Sequence, residues 1–247
     1  MVTDLTGKNN KMNISHKIET RLKKSGANFV HFVDITNLSE KENKNYHNAI
    51  LFGINLSANY LQDVMNTPDY VQEMIRRKSD FSDDEFHLTE LKTGECADEI
   101  SQWLNNNGYE AYSHSDKNQI DTGFFDGIYQ GTPLPHKTIA RMAGIGWIGK
   151  SNLLVTPKFG SALCLGVIIT NAPLETTLSN PIQSKCGNCN ICINVCGHNA
   201  LKGFEWNLNI KREEMLDVYK CTTCLNCLIF CPWTQNYIKT QLIVQQK

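Results

Sequence analysis

Apolar and polar positions alternate along the first two thirds of the chain in two different periods. Five apolar runs have the length and composition of strands, and they cover residues 28–33, 49–56, 110–113, 153–156 and 162–170. Four stretches have helical spacing, and they cover residues 15–24, 68–77, 88–106 and 136–143. Because strands and helices alternate, the pattern predicts a mixed α+β or α/β layer structure and not a helical bundle.

Changes in composition divide the chain into three parts. Residues 1–13 are polar, rich in Lys and Asn, and without a period, which predicts a flexible N-terminal extension. Turn-forming residues replace the apolar pattern over residues 171–183, so we expect a domain boundary there. The prediction is an α/β domain for cofactor and substrate over residues 14–180 and a second domain over residues 181–247.

Bulk composition restricts the partners. The chain has 247 residues, 41% of them hydrophobic, which is enough for a buried core. Its formal net charge is -1, which gives no overall electrostatic signal for nucleic acid or an anionic membrane. Neither a long apolar run nor a secretory signal pattern is present in the sequence. We therefore expect a cytoplasmic protein without a membrane partner.

The ten cysteines are unevenly distributed, with eight between residues 186 and 231. Their spacing is the bacterial ferredoxin run C-x2-C-x2-C-x3-C, present twice. The first run is Cys186, Cys189, Cys192 and Cys196, and the second is Cys221, Cys224, Cys227 and Cys231, followed by Pro232. The pattern predicts a ferredoxin-like domain with two 4Fe-4S clusters that move single electrons.

In two-cluster ferredoxins the fourth cysteine of each run binds the other cluster. Cluster one is therefore assigned to Cys186, Cys189, Cys192 and Cys231, and cluster two to Cys221, Cys224, Cys227 and Cys196. A pair of four-cysteine zinc sites is the alternative. Such sites are built from C-x2-C pairs, however, and do not need the third cysteine that follows at the same spacing in each run here. Gly197 stands where the motif usually has proline, a change that leaves the ligands intact.

The glycine-rich segment at residues 144–151 has three interpretations. Its letters GIGWIGKS match two phosphate-binding loop patterns, yet a helix is predicted before it and a strand after it, opposite to the order those loops need. In a second interpretation Gly144, Gly146 and Gly149 permit a tight turn around a packed Trp147. In the third, bare backbone lets a bulky cofactor approach, with Lys150 as a cationic contact.

The third interpretation gains weight from a resemblance. The order AGIGWIGKSNLLVTPKFGSALCLGVIIT, then CGNCNICINVC, then a run ending in CPW, resembles the cobalamin-dependent epoxyqueuosine reductases and their reductive dehalogenase relatives. The match is dense over residues 132–233 and faint over residues 14–131.

The resemblance implies a nitroreductase-like domain that holds a corrinoid beside the double-cluster domain, with electrons passing through the clusters to cobalt. It implies corrinoid contacts from Gly144, Gly146, Trp147, Gly149 and Lys150, and a reduced ferredoxin or flavodoxin as electron donor.

Three departures from the family pattern affect the expected reaction. Aligning Pro133 with the family's proline places Gln130 where epoxyqueuosine reductases carry their catalytic Asp. The Glu-Arg pair after that proline becomes His136-Lys137 here, and the sequence ends without the C-terminal tRNA-binding extension of the longer members. His136 is the candidate substitute proton donor, and a histidine bonded to main chain at a helix start is the alternative.

Three functions stay open at this point. The first is a corrinoid-dependent reductase of a small molecule, for which tRNA is not expected as a substrate. The second is a non-enzymatic electron carrier, favoured by the neutral amide of Gln130 but not by the size of the first domain. The third is an ATP-driven electron donor that uses the glycine-rich segment as a phosphate loop.

Overall fold

The computed structural model describes residues 5–67, 69–76, 82–177 and 179–245. The helices are α1 (Leu5–Lys24), α2 (Glu40–Asn43), α3 (Ala58–Asn66), α4 (Tyr70–Arg76), α5 (Glu85–Asn106), α6 (Asp116–Asp121), α7 (His136–Met142), α8 (Ile191–Asn194), α9 (Arg212–Met215), α10 (Asn226–Ile229) and α11 (Pro232–Gln245). The strands are β1 (Phe29–Asp34), β2 (Asn48–Asn55), β3 (Ala111–Ser113), β4 (Trp147–Ile148), β5 (Leu154–Val155) and β6 (Leu163–Thr170). The predicted mixture of helices and strands is confirmed.

The chain divides into two compact units. The first contains residues 1–54, 90–143 and 164–180, and the second contains residues 55–89, 144–163 and 181–247. The sequence predicted a single boundary near residue 180. The structure differs, because the glycine-rich segment belongs to the same unit as the cysteines and not to the unit of the four-stranded sheet.

A four-stranded sheet organises the first unit, with strand order β1-β2-β6-β3. β1 pairs antiparallel with β2, and β3 pairs antiparallel with β6. Buried side chains from α1, α5 and the central strands form one cluster, which includes Ile18, Leu22, Ile50, Leu104 and Ile168. The cluster leaves α1 and α5 with a polar face for water, as their amphipathic spacing requires.

The second unit combines a hairpin with short helices. β4 and β5 pair antiparallel, with Trp147 opposite Val155. Helix α3 packs against α11 and α10, and α8 packs against α10. Segments distant in sequence therefore surround the cysteine-bearing loops.

Several element boundaries differ from the sequence prediction. Helix α1 begins at Leu5, inside the segment predicted as a flexible extension, because a polar stretch without proline can continue a helix that tertiary packing holds at its other end. Helices α3 and α6 and strand β4 were not predicted. In the described part of the chain, no helix is long and apolar enough to cross a membrane.

Candidate metal centre

The eight cysteines of the two runs fall into two groups in space. Cys192 is close enough to Cys186, Cys231 and Cys189 for their charges to act on it, and Cys231 is close to Cys186 and Cys189. Cys227 is close to Cys224 and Cys221, then to Cys192 and Cys196. Cys231 thus lies near the first run and Cys196 near the second, as crossed ligation requires, and the assignment of each ligand to a cluster stays a prediction.

Burial raises the pKa of Cys192, Cys227 and Cys231, so these three thiols must lose a proton before they bind metal. Burial, followed by the charges of its neighbours, raises the pKa of Cys192 to about 11. The same causes raise the pKa of Cys227 to about 12. Metal binds the deprotonated form, so loading the site releases protons.

The eight thiols supply four ligands for each of two clusters. A single zinc ion holds all its sulfurs about 2.3 Å from one centre, whereas each cysteine of a 4Fe-4S cluster binds a different iron. The number and kind of the donors therefore fit two 4Fe-4S clusters.

The fourth cysteine of each run accepts main-chain hydrogen bonds. Cys231 directly precedes α11, and the amides of Trp233 and Thr234 act to lower the pKa of Cys231 against the larger, opposing effect of burial. The Ala200 amide donates to the sulfur of Cys196 over 3.3 Å. Amide donors favour the thiolate, and they also tune the potential of a bound cluster.

The glycine-rich segment forms the β4–β5 hairpin and the approach to it. Gly149 N donates to Leu153 O over 2.9 Å, and Asn152 takes a left-handed conformation with φ of 60° at the turn. A Cβ added at Gly146 would lie 2.2 Å from Val155 O, and one at Gly149 would lie 2.9 Å from a Val155 methyl and 3.6 Å from Cys186 Sγ. The bare faces of these two glycines are therefore filled by the chain itself.

Trp147 and Lys150 also contact protein. Trp147 is 1% exposed, and its ring packs edge-on against Trp233 with centroids 5.1 Å apart. Its indole Nε1 has no hydrogen-bond partner in the described structure. The Lys150 ammonium donates to Gly187 O, Cys189 O and Asn190 Oδ1 at 2.7, 3.2 and 3.1 Å. The structure thus brings four of the five predicted corrinoid contacts into internal packing, while Gly144 ends α7 with φ of 67°.

His136 begins α7 in the first unit, and both its ring nitrogens are directed at main-chain carbonyls. Nδ1 lies 2.9 Å from Leu165 O, and Nε2 lies 3.2 Å from His114 O. Burial lowers the pKa of His136, while Asp116 and the two carbonyls oppose the shift. These contacts match the alternative of a histidine bonded to main chain, and the proton-donor role stays a prediction.

Gln130 lies in an exposed loop between Asp126 and Gly131, which bridge each other in antiparallel fashion. It has a left-handed conformation with φ of 53°, and its amide nitrogen donates to Gly127 O. The Asp126 carboxylate accepts from the amides of Ile128 and Tyr129 at 2.9 and 2.8 Å. The only carboxylate within residues 126–131 is therefore used to hold the loop.

The sequence reasoning missed two features of the site. It did not place the glycine-rich segment beside the cysteines, because hairpins this short give no alternation to detect. It also did not predict that Trp233, the last residue of the CPW sequence, packs against Trp147. The Lys185 ammonium lies 5.6 Å from the centre of the Trp233 ring.

Comparison with known proteins agrees with the resemblance that the motifs indicate. No family model matches the chain. The epoxyqueuosine reductase of Listeria monocytogenes is 32% identical over 139 residues, which cover 49% of this chain and 33% of that protein. The resemblance inferred from the motifs is thus confirmed, and the chain spans about one third of the length of this relative.

Solved structures with the same fold include both branches of the resemblance. An epoxyqueuosine reductase crystallised with an epoxyqueuosine-modified tRNA-Tyr stem loop has a TM-score of 0.56 at 16% identity, covering 92% of this chain and 67% of that one. A reductive dehalogenase described as suggesting a mechanism for B12-dependent dehalogenation has a TM-score of 0.59 at 18% identity, covering 92% and 33%. At such identities the likeness shows the fold alone.

Proposed function

We propose that this chain is an iron-sulfur oxidoreductase that relays single electrons through two 4Fe-4S clusters to a bound cobalamin, which reduces a small molecule. The observation that carries the proposal is the crossed grouping of the thiols, with Cys231 beside the first run and Cys196 beside the second. Two adjoining clusters provide a path along which one electron at a time can move.

The proposal also assigns a domain type to each of the two units. The first unit would be the nitroreductase-like domain and the cysteine-bearing unit the ferredoxin-like one. The four-stranded sheet with α1 and α5 supports the former, and the short helices around the cysteine loops support the latter.

The cobalamin part rests on the relatives, one of which is described as B12-dependent. A bound corrinoid supplies a cobalt centre that can be reduced by single electrons. Gly146, Gly149 and Lys150 do not fit direct contact with it, because Val155 fills the space above the two buried glycines and the ammonium of Lys150 is bonded to the first cysteine loop. Among the described residues of this segment, Trp147 Nε1 is a buried side-chain donor without a hydrogen-bond partner, which an acceptor could still satisfy.

The rival function, a carrier without a reaction of its own, is less well supported. A carrier needs little beyond the cysteine runs, whereas this chain keeps a complete sheet-based unit with its own core. The ATP-driven donor is weaker still, because the glycine-rich segment is a β-hairpin and not a loop that leads into a helix.

We expect that the chain does not reduce epoxyqueuosine in tRNA, although the relatives do carry that name. Opening an epoxide needs a proton for the leaving oxygen, and the amide of Gln130 cannot supply one. A general acid is commonly worth about 10²- to 10⁴-fold in rate, so the difference should be visible. The assay compares wild type, Gln130→Asp and an authentic reductase on epoxyqueuosine-containing tRNA, under anaerobic conditions with a strong reductant. Wild-type turnover equal to that of the authentic enzyme would refute the expectation.

The function is tested by anaerobic reconstitution with iron and sulfide, followed by titration with cob(II)alamin. We expect about eight irons per chain and a change in the electron paramagnetic resonance (EPR) spectrum of the corrinoid. Eight irons without a corrinoid change would favour the carrier. Stoichiometric zinc in anaerobically purified protein would contradict the iron-sulfur interpretation altogether.

A further inference from the structure

The turn between β4 and β5 carries a lysine that binds one particular cysteine loop. Lys150 Nζ lies 2.7 Å from Gly187 O, 3.2 Å from Cys189 O and 3.1 Å from Asn190 Oδ1. All three acceptors belong to the segment between Cys186 and Cys192, which carries three of the four ligands of cluster one. A lysine ammonium has three donors, so these acceptors use its full capacity.

The backbone around Lys150 fixes its direction. Asn152 N donates to Gly149 O over 2.9 Å and closes the turn, while Gly149 packs between the Val155 side chain and Cys186. The main-chain carbonyl of Asn190 in turn accepts hydrogen bonds from the amides of Ile193 and Asn194 at the start of α8. The lysine therefore joins two segments that are each held by their own hydrogen bonds.

Charge and orientation act in the same sense on the cluster. A 4Fe-4S cluster with four thiolates is an anion, and reduction adds another negative charge, so a fixed cation nearby favours the reduced form. Carbonyl and amide of a trans peptide point in opposite directions. Carbonyls 187 and 189 face the lysine, so the amides of Asn188 and Asn190 point away from it.

We propose that Lys150 is a positioning residue for cluster one: it holds the loop of residues 187–190 and raises the reduction potential of the cluster bound by Cys186, Cys189, Cys192 and Cys231. The inference rests on the proposed function, because it needs two clusters. It replaces the corrinoid contact that the sequence predicted for this side chain. The cation would then increase the share of electrons on cluster one when the pair is half reduced.

The test is a redox titration followed by EPR on full-length reconstituted protein. Lys150→Met removes the charge and the donors, Lys150→Gln removes the charge but keeps amide donors, and Lys150→Arg keeps both. Lys158→Met is the matched control, because its ammonium lies over the Phe159 ring and makes none of these loop contacts. The signal that Cys231→Ser removes identifies cluster one.

We expect Lys150→Met and Lys150→Gln to shift the midpoint of cluster one to a more negative value while cluster two and the Lys158→Met control keep theirs. Lys150→Arg should stay near wild type. If both uncharged variants retain only four irons and Lys150→Arg retains eight, the need for the cation is supported in a stronger form.

Unchanged midpoints in variants that hold eight irons would overturn the proposal. So would Lys150→Arg losing cluster one, since shape and not charge would then matter. Loss of only the cob(II)alamin response in Lys150→Met, with both midpoints unchanged, would restore the corrinoid contact. Wild type that fails to hold eight irons would instead contradict the proposed function itself.

Discussion

At the scale of single residues, Gly146 shows that a glycine motif can arise either from contact with a cofactor or from close packing of the chain on itself. A glycine pattern beside a cofactor domain invites the view that the backbone approaches a ligand. Here the space above its Cα is occupied by Val155 O, which would lie 2.2 Å from an added Cβ. The glycine is required because two strands of one hairpin approach each other closely.

A substitution at this position should therefore destabilise the protein even when no corrinoid is present. Gly146→Val should lower the free energy of unfolding by about 1–3 kcal/mol or more, because the backbone has to move to make room. Gly127→Ala is the matched control, since an added Cβ there meets nothing within 4 Å. Denaturant unfolding of protein without corrinoid is the measurement. Equal stability of Gly146→Val and wild type would leave cofactor approach as the explanation.

His114 is a buried histidine that the sequence analysis did not single out. It is 1% exposed, and its ring packs against Tyr112, Phe124 and His136. Neither ring nitrogen has a hydrogen-bond partner of normal geometry among the described residues. Burial, followed by the charges of His136 and Lys44, lowers the pKa of His114 well below its usual range, and the nearby Leu134 backbone opposes part of this lowering.

This burial makes stability depend on pH in a defined direction. His114 stays neutral in the folded state, whereas the unfolded chain takes up a proton below about pH 6.5, so stability is present above that pH and is lost as the pH falls. One such histidine contributes a slope of up to about 1.4 kcal/mol per pH unit. His114→Phe, which keeps an aromatic ring but cannot titrate, should show a shallower loss between pH 7 and 5 in denaturant unfolding. An unchanged slope would contradict this account.

At the scale of elements, the sequence predicted those whose apolar period is long or whose composition is distinctive. Strands β1, β2 and β6 and helices α5 and α7 lie close to their predicted positions. β4 has only two residues and α6 only six, so neither contains enough positions for a period.

Helix α3 was missed for a different reason. It buries Ala58, Tyr60, Leu61 and Val64 against α10 and α11, which are far away in sequence. Its stability comes from that packing, which a local pattern does not reveal. The site behaves in the same way: candidate ligands could be proposed from cysteine spacing, whereas the contacts of Lys150 with residues 187–190 join segments far apart in sequence.

The start of α3 offers a test of this packing. Ser57 is its N-cap and accepts from Tyr60 N over 3.1 Å, while its hydroxyl donates to Glu85 Oε2 over 2.6 Å. Ser57→Ala should reduce the free energy of unfolding by about 1–2 kcal/mol, because a cap and a bond to a carboxylate are lost together. Ser57→Asp restores a capping oxygen but places a second carboxylate beside Glu85, so it should not recover wild-type stability. Thermal unfolding of the three proteins decides this, and a fully stable Ser57→Ala would show that packing alone holds the helix.

At the scale of the whole molecule, the account depends on the chain holding two clusters with exchanged fourth ligands. A chain with a formal net charge of -1 carries no broad field to attract a partner, so the local surroundings of the thiols matter most for the reduction potentials of the clusters. Those surroundings depend on which cysteine binds which cluster.

The most direct measurement is iron content with EPR spectra of Cys231→Ser and Cys196→Ser after anaerobic reconstitution. Wild type should hold about eight irons per chain. Cys231→Ser should damage the cluster of Cys186, Cys189 and Cys192, and Cys196→Ser should damage the cluster of Cys221, Cys224 and Cys227. Damage in each variant to the cluster formed by its own run, as reported by the altered signal, would contradict the crossed assignment on which the account rests.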